Sequence, residues 1–525
     1  MHWEFPYPSR RVPVCARNVV ATSQPLAAQA GLKMLQQGGN AVDAALATAI
    51  TLTVVEPTSN GIGSDAFAII WDGTELHGFN GSGRSPRAWS EDRFAAVDEI
   101  TIGWDSVTVP GAVDTWRQLS ERFGRVRFDE LFSPAIQYAR AGFVVTPTIA
   151  GQWHEAVELY RDSPDFLAAF LPNGHAPQPG EVFTFPEQAA TLQSIAETRG
   201  DALYRGPLGD ALVAHAQRQG GALEHVDLES HQGGWVDLLT QTYRGIEVHE
   251  IPPNGQGISA LIALGILAHF DIDEYPLDSA HSVHLQIEAM KLAFRDLQAH
   301  IADPDSMRVA SADLLVPERL AALADSIDIQ RARAMEQSAI NDGGTVYLGA
   351  ADDSGMMVSY IQSNYCGFGS GVIVPGTGIS LHNRGAGFTL ETRHPNCVAG
   401  GKRPLHTIIP GFVLHTGQPL LAFGVMGGHM QAQGHVQMCV RLFDHAQNPQ
   451  AAVDGPRWFV DTSGAVALEP ALARTIGPEL AKRGHKLAAV APASLFGGAQ
   501  VIYRLENGYY CAGSDPRKDG QAVGY

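Results

Sequence analysis

The sequence predicts a large fold in which helices and strands are mixed, and three observations support this. Helical and strand periodicities alternate along the chain, and short strand-like runs of alternating polar and apolar residues follow from Thr345 onward. The 525 residues are 45% hydrophobic and only 17% charged. A chain of this length and composition can form two ordinary domains, or one large layered domain, around a substantial core.

Four segments have the periodicity of helices: residues 25–37, 43–55, 129–141 and 281–300. The first ends at a glycine-rich stop signal, whereas the second is almost wholly apolar and is predicted to be deeply buried. In the first and the last, apolar residues recur at the spacing of one buried helix face. These residues are Ala27, Ala30, Met34 and Leu35 in the first segment, and Leu285, Ala289 and Leu292 in the last.

A β-hairpin is predicted after residue 344. Strand-like runs at residues 345–351 and 356–362 are separated by residues 352–355, whose acidic and glycine content is typical of a tight turn. The preceding segment, residues 335–344, is polar and contains glycine, as suits a loop that can be cleaved.

The bond between Gly344 and Thr345 is the candidate cleavage site. Its cleavage would make Thr345 the first residue of a new chain, with a nucleophilic hydroxyl and a free α-amino group. That amine has a reference pKa of roughly 7.7 to 8.0, so it can accept the hydroxyl proton at neutral pH and promote attack on an amide carbonyl. A glycine–threonine pair before a strand is common, however, so this chemistry needs support from the rest of the chain.

Charge and composition exclude several classes of partner. The net charge is 36 − 55 = −19 and is spread without a basic stripe, so nucleic acid is not expected as a partner. No segment approaches the ~18 uninterrupted apolar residues of a membrane span, and the start of the chain lacks the pattern of a signal peptide. We therefore expect no membrane partner and a cytoplasmic location.

The sequence gives no reason to expect a metal or an organic cofactor. The pair His281-x-x-His284 has no further ligand at a sensible spacing and is expected to lie on a helix surface. The glycine-rich residues 367–371 lack the surroundings of a phosphate loop. The cysteines are odd in number and contain no Cys-x-x-Cys pair, so we expect small buried hydrophobic residues and no disulfide framework. They are Cys15, Cys366, Cys397, Cys439 and Cys511.

Sequence blocks spread over nearly the whole chain resemble those of the γ-glutamyltransferase (glutathione hydrolase) family. They are residues 21–27 (ATSQPLA), 37–45 (QGGNAVDAA), 55–63 (VEPTSNGIG), 242–245 (TYRG), 368–372 (FGSGV), 375–378 (PGTG), 401–405 (GKRPL), 427–428 (GG) and 514–517 (SDPR). Chance does not produce so many blocks in the same order, and the chain is identified as similar to this family.

The resemblance implies an α+β fold, the four-layer αββα sandwich of N-terminal nucleophile hydrolases. It also implies a precursor that cleaves itself into a large subunit, residues 1–344, and a small subunit, residues 345–525. Thr345 would be the nucleophile both in self-cleavage and in hydrolysis of a small-molecule amide. Assembly into a higher homo-oligomer stays open.

Two further features of the family's site match this sequence. Ser363 stands where the family has a second threonine that hydrogen-bonds the nucleophile, so a hydroxyl is retained there. Gly427 and Gly428 resemble the glycine pair whose backbone N–H groups stabilise the oxyanion, and such a donor is typically worth about 2.7–4 kcal/mol.

The family residues that hold a glutamyl group are replaced here. An arginine is replaced by Ser82, an asparagine by Tyr365, a glutamine and an aspartate by Arg384 and Gly387, and two serines by His406 and Thr407. A site that loses an aspartate and gains an arginine favours an acyl group with an anion over one with an ammonium. Arg384, together with Arg84 and the polar side chains of Tyr365 and His406, is therefore the candidate anchor for a carboxylate. The alternative is that Arg384 pairs with a structural carboxylate.

These replacements are similar to the branch of the family that includes oxamate amidohydrolase and cephalosporin-acylase-like proteins. Oxamate carries a carboxylate directly on its amide and has no amine, so it suits the charge pattern. Its hydrolysis to oxalate and ammonia would be a nitrogen-scavenging step. We place oxamate narrowly ahead of glutaryl-type amides, and both ahead of γ-glutamyl transfer. An inactive binding protein is disfavoured because Thr345, Ser363 and the glycine pair are retained.

Overall fold

The structure is a computed structural model, which describes Trp3 and residues 10–335, 343–461, 463–488 and 491–525. Most of the segment predicted to be a cleavable loop, residues 336–342, lies outside the described residues. Both sides of the candidate cleavage bond are described.

Within the described residues, the strands form two antiparallel seven-stranded sheets and three small ones. In chain order the strands are β1 (Val14–Ala16), β2 (Val19–Thr22), β3 (Asp65–Trp71), β4 (Leu76–Asn80), β5 (Phe143–Val144), β6 (Val182–Phe183), β7 (Gly234–Val236), β8 (Leu239–Tyr243), β9 (Ile246–Glu250), β10 (Gly344–Ala351), β11 (Met357–Tyr365), β12 (Ile373–Val374), β13 (Ile379–Ser380), β14 (Gly411–His415), β15 (Gln418–Val425), β16 (Trp458–Val460), β17 (Ala465–Leu468), β18 (Lys486–Leu487), β19 (Ala499–Arg504), β20 (Tyr510–Ser514) and β21 (Gln521–Gly524). The first large sheet has the order β1-β20-β19-β15-β14-β9-β8, and the second has the order β21-β2-β10-β11-β3-β4-β7.

The helices surround these sheets. They are α1 (Pro25–Gln36), α2 (Ala41–Val55), α3 (Ala112–Phe123), α4 (Ser133–Ala141), α5 (Pro147–Leu159), α6 (Pro164–Phe170), α7 (Pro186–Thr198), α8 (Asp201–Tyr204), α9 (Pro207–Arg218), α10 (His225–Glu229), α11 (Gly257–Leu267), α12 (Ala280–His300), α13 (Ser311–Leu314), α14 (Pro317–Asp325), α15 (Met430–Cys439), α16 (Pro449–Asp454), α17 (Pro470–Thr475) and α18 (Gly477–Lys482). Helices α1 and α2 pack against the second sheet, and α11, α15 and α16 pack against the first.

Alternate residues of the central strands face two different cores, as the pleat of a strand requires. Tyr347 on β10 and Phe67 on β3 pack with Phe412 of the first sheet in the cluster between the sheets. Their neighbours Val346 and Leu348 instead pack with the residues of α1 and α2. Each large sheet is therefore covered by apolar contacts on both faces.

The predicted helices are largely confirmed. The first two are α1 and α2, all the predicted inward-facing residues of α1 are buried, and every residue of α2 is buried. The last is α12, with its predicted face inside. Residues 129–141 are only partly α-helical, because a 3-10 turn, Phe128–Phe132, precedes α4. The proline at the second position of α4 fits a helix start there.

The predicted hairpin is confirmed as β10 and β11. Leu348 pairs with Tyr360 in an antiparallel register, and the Gly355 N–H donates to the Asp352 carbonyl at 3.0 Å to close the turn. The strand β11 runs to Tyr365, three residues beyond the predicted end. This extension brings Ser363 and Tyr365 into the strand that lies beside Thr345.

Both halves of the chain contribute strands to both large sheets. Strands β1 to β9 precede the bond between Gly344 and Thr345, β10 contains this bond at its first residue, and β11 to β21 follow it. In the second sheet, β2 and β3 flank the β10–β11 hairpin. Cleavage at that bond would therefore leave two interleaved chains.

Two expectations about single residues are wrong. His284 does not lie on a helix surface but is buried, where its Nδ1 is 2.8 Å from Nε2 of His485. Cys15 is exposed and Cys366 is half-buried, so only the other three cysteines are small buried residues. Among the described residues, no helix combines the length and apolar character needed to cross a bilayer.

Candidate active site

Thr345 lies at an irregularity in the second sheet. The register between β10 and β11 shifts between Gly344 and Val346, so Thr345 lies opposite two residues of β11, Ser363 and Asn364, in an irregularity of the kind often found next to active sites. The residue is 2% exposed. Its hydroxyl donates to Ser363 Oγ at 3.2 Å and accepts from the side-chain amide of Gln431 at 3.3 Å. The sheet therefore holds the candidate nucleophile in one orientation.

Ser363 connects the candidate nucleophile to the bond it would attack. Its oxygen accepts hydrogen bonds from Arg384 Nη2 at 2.6 Å and from the Tyr365 N–H at 2.8 Å, besides that from Thr345. Its own hydroxyl donates to the Gly344 carbonyl oxygen at 2.7 Å. Because two N–H donors polarise the hydroxyl, it is a strong donor to the carbonyl oxygen that would become negative in an attack on Gly344.

Arg384 is a buried cation behind this group. It is 1% exposed, and its second terminal nitrogen donates to Thr407 Oγ1 at 2.8 Å. Its guanidinium carbon lies 4.7 Å from the centre of the Tyr365 ring, within range of a cation–π interaction. Burial lowers the pKa of Arg384 to about 10, which leaves the side chain charged at neutral pH.

Tyr365 reaches this position through an uncommon backbone conformation. Its φ is +79°, in the left-handed region that bulky residues rarely adopt. Such a conformation typically costs of order 1–3 kcal/mol and persists where surrounding contacts stabilise it. The hydrogen bond from its N–H to Ser363 and the contact of its ring with Arg384 are two such contacts.

Asp65 supplies the negative charge that balances Arg384. It is fully buried at the start of β3 and accepts hydrogen bonds from the N–H groups of Gly83 at 3.2 Å and Gly111 at 3.0 Å. Nε2 of His406 is 3.2 Å from one carboxylate oxygen, and Nε2 of His382 is 3.6 Å from the other. Burial alone would raise the pKa of Asp65, but the two imidazoles bring it well below its usual range.

His406 is held neutral between these charges. Its Nδ1 accepts from the Ile408 N–H at 3.3 Å, so we assign the proton to Nε2, which donates to Asp65. Burial, together with the nearby cation of Arg384, lowers the pKa of His406 to about 3. The side chain therefore acts as a neutral spacer within the site.

Gly427 and Gly428 follow β15 at the start of α15. Their φ angles are +108° and +55°, which glycine adopts without strain. The Gly427 carbonyl accepts from the Met430 N–H at 2.8 Å, and since a trans peptide points its C=O and N–H in opposite directions, the Gly428 N–H points away from the helix. A Cβ on Gly343 would lie 3.2 Å from the Gly428 nitrogen, so the chain before Thr345 passes directly over this pair.

Arg84 and Ser82 belong to a neighbouring network. Arg84 donates to Asp303 at 2.8 Å and to the Gly401 carbonyl at 3.0 Å, and its side chain is 43% exposed. Ser82 Oγ donates to Asn80 at 2.7 Å and is buried. The structure thus brings Arg384, Tyr365, Thr407 and His406 together with Thr345 and Ser363, whereas the Arg84 head group is held on Asp303.

Several residues of the site were not identified from the sequence. Gln431 accepts from the Ile409 N–H at 2.9 Å, which turns its NH2 group towards Thr345. Gln256 donates to the carbonyls of Thr407 at 2.5 Å and Gly428 at 2.9 Å, and so fixes both loops. The only available signal for Gln431 is its place three residues after the glycine pair.

A cavity of about 980 Å³ leads to this site. Its buried lining residues include Tyr365, Thr407 and His429, and charged residues of both signs also line it. The charged lining residues are Lys291, Arg295, Arg333, Asp98, Glu99 and Glu391, and the apolar ones include Leu292, Phe294, Ile301, Phe388 and Leu405. The volume is at the upper end of the range for small-molecule pockets.

His284, Glu288 and His485 are close enough together to suggest a metal site. However, Glu288 accepts from the Lys291 ammonium at 2.8 Å and from the Arg333 N–H at 3.0 Å. A metal ion would have to compete with that ammonium for the carboxylate. This donor set therefore fits an internal hydrogen-bond network better than a cation.

Comparisons with known proteins agree with this geometry. The family model described as gamma-glutamyltranspeptidase matches residues 27–525. The chain is 34% identical over 518 residues to the glutathione hydrolase-like YwrD proenzyme of Bacillus subtilis (strain 168), covering 97% of this chain and 98% of that protein. It is 34% identical over 517 residues to the oxamate amidohydrolase proenzyme of Klebsiella pneumoniae subsp. pneumoniae, covering 95% and 97%. Among solved structures, the cephalosporin acylase from Bacillus halodurans is 45% identical, with a TM-score of 0.95 over 100% of this chain and 99% of that one.

The close approach at Gly344 gives a first prediction. A Cβ on Gly344 would lie 2.9 Å from the Gly367 nitrogen and 3.3 Å from the Thr58 carbonyl oxygen, so the Gly344→Ala backbone must shift. We expect the candidate cleavage to slow at least tenfold, as followed on a denaturing gel. The control is Gly151→Ala, where the added Cβ meets no atom within 4 Å. Equal cleavage rates in both variants would show that the close packing around Gly344 is not required for cleavage.

The histidine buried beside Asp65 gives a prediction about pH. The pKa of His406 is about 3 in the folded state and roughly 6.5 when unfolded, so between these values the unfolded chain binds more protons. This contribution to stability is complete above pH 6.5 and is lost as the pH falls. From pH 7 to 5 we expect the unfolding free energy to fall by up to about 2 kcal/mol more than in His406→Gln.

The measurement is urea unfolding at the two pH values, made in the Thr345→Ala background so that a single polypeptide unfolds. Other buried histidines contribute equally to both proteins and cancel in the difference. An equal loss of stability with and without His406 would show that this residue is protonated in the folded protein.

Proposed function

We propose that this chain, which belongs to the gamma-glutamyltranspeptidase family, is a self-processing threonine amidohydrolase that acts on amides with a carboxylate-bearing acyl group. The observation that carries the proposal is the hydrogen-bonded line from Thr345 through Ser363 to the Gly344 carbonyl. With this line of contacts, the Thr345 hydroxyl and the polarised Ser363 donor would act on the same bond. The relatives named above as proenzymes support processing of a precursor.

The proposed processing yields a large subunit, residues 1–344, and a small subunit, residues 345–525. Thr345 Oγ attacks the Gly344 carbonyl carbon, the acyl group moves from nitrogen to oxygen, and water hydrolyses the resulting ester. Gly344 then ends in a carboxylate and Thr345 begins with an amine. The alternating core contacts support a four-layer αββα arrangement in which the two products stay interleaved.

In the mature enzyme the Thr345 amine takes the proton from the hydroxyl as it attacks the substrate amide. The backbone N–H groups of Gly427 and Gly428 are the proposed donors to the tetrahedral oxyanion, and Ser363 orients the nucleophile. The leaving amine departs with the proton, and water then releases the acid and regenerates Thr345. The acyl group is thus transferred first to the enzyme and then to water.

The charge balance around Arg384 supports a carboxylate on the acyl group. The guanidinium contacts Tyr365 and Thr407, and both of these residues line the cavity. Because the surrounding interior has a low dielectric constant, its positive charge would interact with a substrate bound there. A substrate ammonium at the same place would be repelled. This disfavours γ-glutamyl groups, whose α-ammonium needs an acidic partner.

The size of the cavity favours a medium-sized carboxy-acyl amide of the glutaryl type. About 980 Å³ exceeds what a small dicarboxylic monoamide needs, and part of the lining is apolar. The likeness to the cephalosporin acylase agrees with this choice. Oxamate is the second candidate, supported by the relative that is an oxamate amidohydrolase and by the short reach from Thr345 to the Arg384 charge.

Replacement of the nucleophile tests the processing step. We expect the wild type to give two bands on a denaturing reducing gel and Thr345→Ala to give one, because the variant lacks the attacking oxygen. Thr345→Ser retains a hydroxyl and is the matched control, with slower cleavage. An intact wild type after prolonged incubation of the folded protein would favour an inactive binding protein of the same fold.

Arg384→Gln tests the carboxylate anchor. We expect kcat/KM for glutaryl anilide to fall roughly 10- to 100-fold, with little change for the neutral butyryl anilide, because only the charged substrate loses its partner. The measurement uses processed enzyme, with oxamate and γ-glutamyl anilide in the same panel.

Arg84→Gln is the matched comparison, since Arg84 is the other candidate arginine. A selective loss in that variant would move the anchor to Arg84. An equal loss for both anilides in Arg384→Gln would instead mean that Arg384 serves only to position Ser363.

A further inference from the structure

Two cysteines face each other across the edge of the first large sheet. The strands β1 and β20 are antiparallel, and their register pairs Cys15 directly with Cys511. Directly opposed side chains in such a pair project from the same face, with Cβ atoms about 4.5–5.5 Å apart, and closer at positions without hydrogen bonds. A disulfide needs Cα atoms about 4.4–6.8 Å apart. Directly opposed residues of antiparallel strands have Cα atoms about 4.5 or 5.5 Å apart, which lies within this range.

The two thiols lie on the face that does not enter the core between the sheets. The flanking residues Ala16, Tyr510 and Ala512 belong to the cluster between the sheets, so Cys15 and Cys511 point the opposite way. Burial and the neighbouring Cys15 thiol raise the pKa of Cys511 to about 12, which agrees with close contact of the sulfur atoms.

Contacts on both sides fix this register. Before β1, Arg11 donates to the carbonyls of Asp515 at 3.0 Å and Gly520 at 2.9 Å. After β1, Arg17 Nε donates to the Tyr509 hydroxyl at 2.6 Å. A short edge strand held at both ends cannot slip to another pairing without breaking these bonds.

Exposure differs between the two residues in a way that suits stepwise oxidation. Cys15 is exposed, whereas Cys511 is 7% exposed. A small oxidant in solution therefore reaches Cys15 first, and Cys511 is already in place to resolve the product.

We propose that Cys15 and Cys511 form a disulfide by exchange with a low-molecular-weight disulfide. The Cys15 thiol loses its proton to solvent, and its thiolate attacks the small disulfide to form a mixed disulfide and release one small thiolate, which takes up a proton. Cys511 then loses its proton to solvent, attacks the Cys15 sulfur, forms the protein disulfide and releases the second small thiolate, which is protonated in turn. Two protein thiols are oxidised and one small disulfide is reduced to two thiols.

The disulfide links two separate chains only if the proposed processing occurs, so this part of the inference rests on the proposed function. Cys15 lies in the large subunit and Cys511 in the small one, so the bond joins two chains that cleavage has separated. Dissociation of the subunits would then require reduction as well as unfolding. The link forms in oxidising surroundings and is absent where thiols are kept reduced.

The test uses the full-length purified protein treated with bis(2-hydroxyethyl) disulfide, which is not an amide and so is no substrate for the proposed activity. We expect two bands on a reducing denaturing gel and one band of the full mass on a non-reducing gel. Cys15→Ser and Cys511→Ser should each give two bands on both gels. Cys397→Ala, which changes a buried cysteine outside the pair, should keep the link.

The outcomes separate the two proposals. One band on the reducing gel means that processing fails, and a non-reducing tryptic digest then decides the disulfide by presence or absence of the Cys15–Cys511 peptide. Two bands on the non-reducing gel, or Cys15 found only as the mixed disulfide, overturn the cross-link. A link that survives in Cys15→Ser overturns it as well.

Discussion

The site depends on one buried cation and the groups that make its burial tolerable. Arg384 is 1% exposed and donates to two hydroxyls, while the ionised Asp65 provides the opposite charge on the other side of His406. An isolated charge in such a place would cost several kcal/mol. The network makes that charge useful, because it polarises Ser363 and hence the carbonyl of Gly344. The proposed orientation of the nucleophile and selection of the acyl group would therefore depend on the same few contacts as the charge balance.

The sequence predicted the fold best where one physical signal dominates. The apolar run of α2 and the periodic face of α12 allow no other placement, and the hairpin β10–β11 has its turn residues between two strand patterns. The nature of residues 128–132 could not be predicted, because a 3-10 turn and an α-helical turn have nearly the same periodicity. Likewise, the exposure of Cys15 depends on its place in an edge strand, which no local pattern encodes.

Residues of the candidate site could be predicted only where a particular residue type stands at a position that the family pattern makes recognisable. The glycine pair is such a block, whereas Thr345 and Ser363 were placed by their positions in the family pattern. The structure brings Ser363 within hydrogen-bond distance of Thr345, and the chain before Thr345 passes over the glycine pair. Nothing in the sequence distinguishes Asp65 and Gln431 from other polar residues. Their roles come from the tertiary structure, in which Asp65 balances the charge of Arg384 and Gln431 donates a hydrogen bond to Thr345. The alternative that Arg384 meets a structural carboxylate is partly realised, since Asp65 balances its charge through space while its hydrogen bonds go to hydroxyls.

The shape of the cavity and the position of the cation together constrain how selectivity can arise. The Arg384 guanidinium lies behind Tyr365 and Thr407 of the cavity lining, and in this low-dielectric surrounding a carboxylate on the substrate would interact with it more strongly than in water. The rest of the lining combines apolar side chains with charged residues of both signs. Selection for an anion close to the scissile amide can therefore coexist with tolerance of different groups beyond it. Such a division is consistent with relatives that share this family but are named for different activities.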